Sequence, residues 1–267
     1  MRIVVPIKQV PETSGVRMDE ATGTLVREGA EAIVNPLDLY AIEAALRLCG
    51  EGDEALALSM GPPKAEAALR EAVAMGCAEG VLLSDRAFAA SDTWATARVL
   101  AAAVRKLGAV DLVICGERAT DGDTGQVGPE LAAFLGLPVA SYVSRIRECG
   151  GGRVVVDRLV ENGYETLEVE LPAVLTVVKE AADPRLPTLR GKQRARTRAI
   201  PVWGAGDLGI DAGEVGLRGS PTRVVRIFRP SIARQGERLV AQDPAAIEAA
   251  CDRVVAFLEE KGLLDAR

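Results

Sequence analysis

The stretch Asp121-Gly122-Asp123-Thr124-Gly125-Gln126-Val127-Gly128-Pro129 brings carboxylates, a hydroxyl, an amide and glycines together, directly after the apolar run Asp111-Leu112-Val113-Ile114-Cys115-Gly116. With Glu130-Leu131-Ala132-Ala133-Phe134-Leu135 behind it at helical spacing, the order reads as buried strand, loop and helix N-terminus. Such a junction offers anion binding, because the first turn of a helix carries N–H groups without intrahelical partners and about half a positive charge. Gly122, Gly125 and Gly128 would let the main chain approach a phosphate, Thr124 would add a hydroxyl and Gln126 an amide. A nucleotide mono- or diphosphate is the expected ligand. On spacing alone, an ordinary strand-to-helix loop with Asp, Gly and Thr as turn and cap residues fits equally well.

Other chemistry is excluded by what the chain lacks. It has no histidine, which removes a Ser-His-Asp triad, a Cys-His pair and any histidine-ligated metal. Cys49, Cys77, Cys115, Cys149 and Cys251 are scattered without a Cys-x-x-Cys pair, so neither a zinc site nor a disulfide framework is expected. No catalytic side chain and no metal ligand is assigned, and any reaction falls to a bound cofactor. Aromatic residues make up 3%, too few for a stacking surface on single-stranded nucleic acid, and the net charge of −6 also disfavours a nucleic-acid partner. Met1-Arg2-Ile3-Val4-Val5 leads straight into a strand without the features of a secretory signal, and no run approaches the roughly 18–20 apolar residues of a membrane span. A cytoplasmic location is expected.

The elements that would position the loop alternate. Arg2 to Lys8 reads as a first strand, and Arg17-Met18-Asp19 with Thr24-Leu25-Val26-Arg27 as a small hairpin about Ala21-Thr22-Gly23. Asn35-Pro36-Leu37-Asp38 opens a helix whose apolar face is Ala41, Ile42, Ala45, Leu46 and Leu48; Asn35 is either its cap or a ligand contact. Strands at Glu54–Met60 and Gly80–Asp85, helices at 65–75 and 93–107, and strands at Asp111–Gly116, Val139–Ile146 and Ala173–Lys179 continue the pattern. A hairpin around Glu161-Asn162-Gly163 interrupts it. The alternation predicts an α/β fold with a doubly wound parallel sheet, Rossmann-like, carrying a β-hairpin and an extended C-terminal arm that ends in a helix. The domain boundary is expected at 1–182 and 183–267. Residues 183–198 are rich in proline and arginine with lone leucines, fit for a solvated linker or a docking arm. The helix from Pro244 to Leu263 has an apolar face that would need a partner such as a second subunit.

Taken together, Val4-Val5-Pro6-Ile7-Lys8, Asn35-Pro36, Met60-Gly61-Pro62, the Asp121–Gly128 loop and Gly206-Asp207-Leu208-Gly209 occur in an order that resembles the β subunit of electron transfer flavoproteins over essentially the whole chain. Arg158, Glu161, Glu165, Leu167, Pro172, Val174, Leu175 and Thr176 resemble the signature of that family, with Asn162 departing from it at a turn. The resemblance implies a heterodimer with an FAD-bearing α subunit, and a nucleotide in the β chain at Pro6, Lys8, Asn35, Pro36, Leu37, Asp38, Met60, Gly116, Glu117, Arg118, Ala119, Thr120, Asp121, Gly122, Asp123, Thr124, Gly125, Gln126 and Val127. It implies partner recognition at Leu186, Thr188, Leu189 and Arg190 by a flavin dehydrogenase such as an acyl-CoA dehydrogenase, and contact with a membrane only indirectly, through a quinone reductase. The family divides between a structural AMP and a second, electron-bifurcating FAD that accepts a hydride from NADH. The glycine-rich loop is more similar to the FAD branch. An ATP-using or adenine-nucleotide-sensing protein on the same sheet is the remaining alternative, without the Gly-Lys-Ser/Thr loop it would need.

Overall fold

A computed structural model describes residues 1–12, 17–18, 25–26, 32–225 and 236–264. The chain divides into two compact units, Met1–Arg223 and Val224–Arg267. The first begins with strands β1 (Arg2–Pro6), β2 (Gln9–Pro11), β3 (Arg17–Met18), β4 (Leu25–Val26) and β5 (Ala32–Val34), then helix α1 (Pro36–Leu48). Next come β6 (Glu54–Met60), α2 (Glu66–Met75), β7 (Glu79–Leu83), α3 (Thr93–Leu107), β8 (Leu112–Gly116) and α4 (Val127–Leu135). The run β9 (Val139–Gly150), β10 (Arg153–Val160) and β11 (Gly163–Glu170) is followed by β12 (Ala173–Val177), α5 (Leu189–Thr197), β13 (Val202–Trp203), α6 (Ala205–Leu208) and α7 (Gly216–Gly219).

Nine strands form one sheet in the order β11-β10-β9-β12-β8-β1-β6-β7-β13. From β9 to β13 every neighbour is parallel, and within this sheet only β10 runs antiparallel to its neighbours, β9 and β11. Because β1 has β6 on one side and β8 on the other, the strand order reverses between β1 and β8, where doubly wound sheets leave a crevice. Both faces of the sheet are covered, which is why the central strands read as unbroken apolar runs. Ile3 and Val5 pack with Ala41, Ile42 and Leu69 of α1 and α2, while Val4 packs with Val99, Leu100 and Leu131 of α3 and α4.

The predicted doubly wound architecture is present, with differences at the ends of elements. The first strand stops at Pro6 rather than Lys8, since Gln9–Pro11 turns away to pair with β5. β9 extends to Gly150 because its second half pairs with β10. Arg17–Met18 and Leu25–Val26 do pair antiparallel; the turn expected between them lies outside the described residues. In the β10–β11 turn the positive φ falls on Gly163 and not on Asn162.

Residues 183–223, grouped with the arm on composition, belong to the first unit. Arg185 is held by Glu43 of α1, β13 pairs with β7, and α5 lies on α2 so closely that a Cβ at Gly191 would meet the Ala74 carbonyl oxygen at 2.0 Å. Arginine makes these contacts: Arg194 donates to the carbonyls of Val73 and Cys77 at the end of α2, and Arg198 pairs with Glu79. In the second unit, α8 (Pro244–Glu260) starts at Asp243, whose side chain accepts the Ala246 N–H, and none of its residues is buried. Among the described residues no helix is long and apolar enough to cross a membrane.

Candidate nucleotide-binding site

The predicted nucleotide residues converge outside the carboxyl ends of β1, β6 and β8. Pro6 closes β1, Met60 closes β6 and Gly116 closes β8, while Pro36, Leu37 and Asp38 form the first turn of α1. Asn35 lies beneath them, fully buried. Its Nδ2 donates to Asp38 Oδ1 (2.9 Å) and to the Arg118 carbonyl (2.9 Å), and its Oδ1 accepts the Thr120 N–H (3.1 Å). Its side chain caps nothing in α1. Instead it ties the loop after β8 to that helix, a positioning role not foreseen when cap and ligand contact were the two readings.

Asp38 is also buried, and its second oxygen accepts the Lys8 N–H at 2.7 Å. Burial pushes its carboxyl up to about 7, against the pull of the Asn35 amide, the Lys8 N–H and the Lys8 charge, and with a further push from Asp121. Lys8 Nζ in turn reaches Asp121 Oδ1 at 2.7 Å. Strand end, helix start and loop are thus joined by one polar network. Gly116 makes it possible: a Cβ there would sit 2.4 Å from Asp38 Oδ1.

Past Asp121 the loop has fewer ties. Asp123 (φ +53°) and Gly125 (φ +64°) both adopt left-handed backbone, and the Asp123 N–H donates to the Ala119 carbonyl. Gly122 faces open space, whereas a Cβ at Gly128 would lie 2.4 Å from Thr176 Cγ2, so the first turn of α4 is pressed onto β12. Among the described residues, the amides of Thr124, Gly125, Gln126, Val127 and Gly128 donate to no protein acceptor. Gln126 stands at the N-cap of α4 without capping it. The cations nearby are engaged: Arg118 Nε is 3.1 Å from both Glu117 Oε1 and Asp123 Oδ1. An anion entering here would therefore meet a row of main-chain donors more than free positive charge. A phosphate fits such a cradle.

Other residues beside the loop gave no signal in the sequence as site residues. Thr93, read as part of a helix cap, places its hydroxyl 3.1 Å from Glu130 Oε1 and 3.3 Å from Gln126 Oε1. Burial raises the Glu130 carboxyl, although the Thr93 hydroxyl lowers it. Tyr142 and Thr176, on β9 and β12, border Gly125 and Gly128.

The expected partner-binding residues form a separate surface. Leu186 and Leu189 are 86% and 87% exposed, and Arg190 is exposed beside them. Thr188 caps α5, its Oγ1 accepting the Gly191 N–H at 2.9 Å. The base of this segment is fixed by Arg185, which forks onto Glu43 (Nε to Oε2 2.7 Å, Nη2 to Oε1 3.1 Å), while Arg47 donates to the same carboxylate at 2.8 Å. Burial would raise the Glu43 carboxyl, but the hydrogen bonds from Arg185 and Arg47 outweigh it and hold it below its ordinary value.

Comparison with known proteins shows the family. Residues 22–208 match the electron transfer flavoprotein domain. The chain is 44% identical over 256 residues to the electron transfer flavoprotein subunit beta of Thermoanaerobacterium thermosaccharolyticum, covering 95% of this chain and 98% of that protein. It is 44% identical over 266 residues to the caffeyl-CoA reductase-Etf complex subunit CarD of Acetobacterium woodii, covering 99% and 100%. The acryloyl-CoA reductase electron transfer subunit gamma of Anaerotignum propionicum is 41% identical over 263 residues, with 96% and 98% covered.

Proposed function

The chain belongs to the electron transfer flavoprotein family as a β subunit, and on that premise we propose that it binds FAD in the crevice between β1 and β8 and works in a heterodimer with an α subunit that carries a second FAD. The observation that carries this reading is the run of unpartnered amides from Thr124 to Gly128 leading into α4. Each contact of a charge with a helix terminus contributes about 0.3–1 kcal/mol when exposed and up to about 2 kcal/mol when partly buried, so several donors in series are needed to retain a dinucleotide. The open space at Gly122 and the left-handed turn at Gly125 leave room for a diphosphate. A flavin held there would supply one- and two-electron chemistry, with NADH as the donor.

The side chains of this chain position the ligand and its surroundings. Asn35 and Asp38 fix the loop, Lys8 and Arg118 balance its carboxylates, and no acid, base or nucleophile is required of them. Leu186 and Leu189 would dock a flavin dehydrogenase or acyl-CoA reductase; CarD and the Anaerotignum subunit, by their names, serve reductases of this kind. The uncovered apolar face of α8 would be supplied with its partner by the α subunit. Nucleotide extraction from the purified heterodimer, with flavin counted per complex, tests the proposal. Two FAD per heterodimer is the expected result. One FAD accompanied by AMP would remove the bifurcating reading and leave a structural nucleotide in the same crevice.

A further inference from the structure

Tyr142 lies within β9 at φ +60°, in left-handed backbone where a bulky aromatic residue is an outlier and costs free energy. The cause is a bulge in the pairing with β12. Leu175 faces Ala140 and Val177 faces Val143, so Ser141 and Tyr142 together face the single residue Thr176. Thr176 Oγ1 accepts the Tyr142 N–H at 3.1 Å, while its Cγ2 fills the space that a side chain at Gly128 would need. Bulges of this type re-aim a side chain, and they are frequent beside active sites.

The side chain is aimed at the loop. Tyr142 Oη lies 3.9 Å from the Cβ position of Gly125, in the middle of the unpartnered amides. The residue remains 48% exposed, so burial of its ring does not offset the backbone strain, and among the described residues its hydroxyl has no hydrogen-bond partner. Strain, direction and a free donor converge on one place.

We propose that Tyr142 is a further ligand-binding residue of this site, its phenolic hydroxyl donating a hydrogen bond to the phosphate that the amides of residues 124–128 hold. The inference rests on the nucleotide reading of the loop and adds a side-chain contact to a cradle otherwise made of main chain. The test uses the co-expressed heterodimer freed of nucleotide and titrated calorimetrically with FAD, AMP and adenosine. Tyr142→Phe keeps the ring and the backbone and removes only the donor. It is expected to weaken FAD or AMP about tenfold, as befits a hydrogen bond to a charged group, with adenosine affinity and the melting temperature of the empty complex unchanged. Tyr142→Asn, which tolerates left-handed backbone, is expected to weaken the phosphorylated ligands at least as much. Unchanged FAD and AMP affinity in Tyr142→Phe overturns the inference, as does an equal loss for adenosine, which would mean ring packing instead of a phosphate contact. A wild-type complex that binds neither FAD nor AMP overturns the nucleotide reading itself, a result distinct from both.

Discussion

The loop at 117–126 and the segment at 183–198 are both surface chain tied to α1, but by different chemistry. The loop is held by a buried, uncharged amide, Asn35, whose bonds go to a carboxyl and to main-chain groups. The segment is held by ion pairs in which Glu43 is buried while Arg185 and Arg47 are about half exposed. A neutral clamp built on a buried amide carries no charge for salt to screen and fixes atoms closely. An ion pair with its cation in solvent is screened, and it leaves the attached chain room to adjust. The difference suits the roles proposed for the two, a loop that places amides around a phosphate and an arm that meets another protein.

Asn35→Ala should have the largest effect, since it removes a fully buried amide and takes from the Arg118 carbonyl and the Thr120 N–H, both part-buried, their common partner. A loss of about 2–4 kcal/mol in denaturant unfolding is expected, insensitive to added salt; a loss well below 1 kcal/mol would show that the loop does not depend on the clamp. Glu43→Ala should cost less, about 1–2 kcal/mol, because the arginines it releases can turn to water. That loss should shrink in high salt, and the chain near Leu186 should become more open to proteolysis. If the two variants respond alike to salt, the contrast between the clamps is wrong.

The two carboxylates on α1 sharpen the contrast through pH. The Asp38 carboxyl titrates near 7 in the folded chain and near 3.8 when unfolded, so the folded state holds the extra proton between those values. Its contribution is greatest in acid and is lost as pH rises from about 4 to about 7. Glu43 is shifted downward, so its contribution is present above its ordinary value and is lost as pH falls through the lowered one. Asp38→Asn should therefore flatten a decline in stability toward neutral pH, and Glu43→Gln should flatten a decline toward acid; chemical denaturation across pH 3–8 reads both. The smallest effect is expected at the exposed Lys8–Asp121 pair, where Lys8→Met should change stability by about 0–1 kcal/mol, and by less in salt.

The regular part of the fold was legible in the sequence because burial on both faces leaves unbroken apolar strands, and because punctuation such as Asp92, Gly76 and Gly108 marks the ends of helices. The loop after β8 was legible as a glycine-broken strand-to-helix junction, although Gly116 and Gly128 serve close packing. Contacts joining distant polar residues were not legible. Nothing local says that Asn35 meets Arg118 and Thr120, or that Arg185 and Arg194 attach a charged segment to α1 and α2. The Tyr142 bulge was hidden for a related reason: a single extra residue leaves the apolar character of β9 intact while turning one side chain toward the loop.

The two margins of the nine-stranded sheet carry a last consequence. On one side β13 contributes only Val202 and Trp203, and on the other β11 presents Glu165, Glu168 and Glu170 to solvent, two of them paired with arginines of β10. A stub and a row of carboxylates are poor templates for another strand. During synthesis, before any companion protein arrives, the sheet is thereby guarded against growing edge to edge into insoluble fibrils.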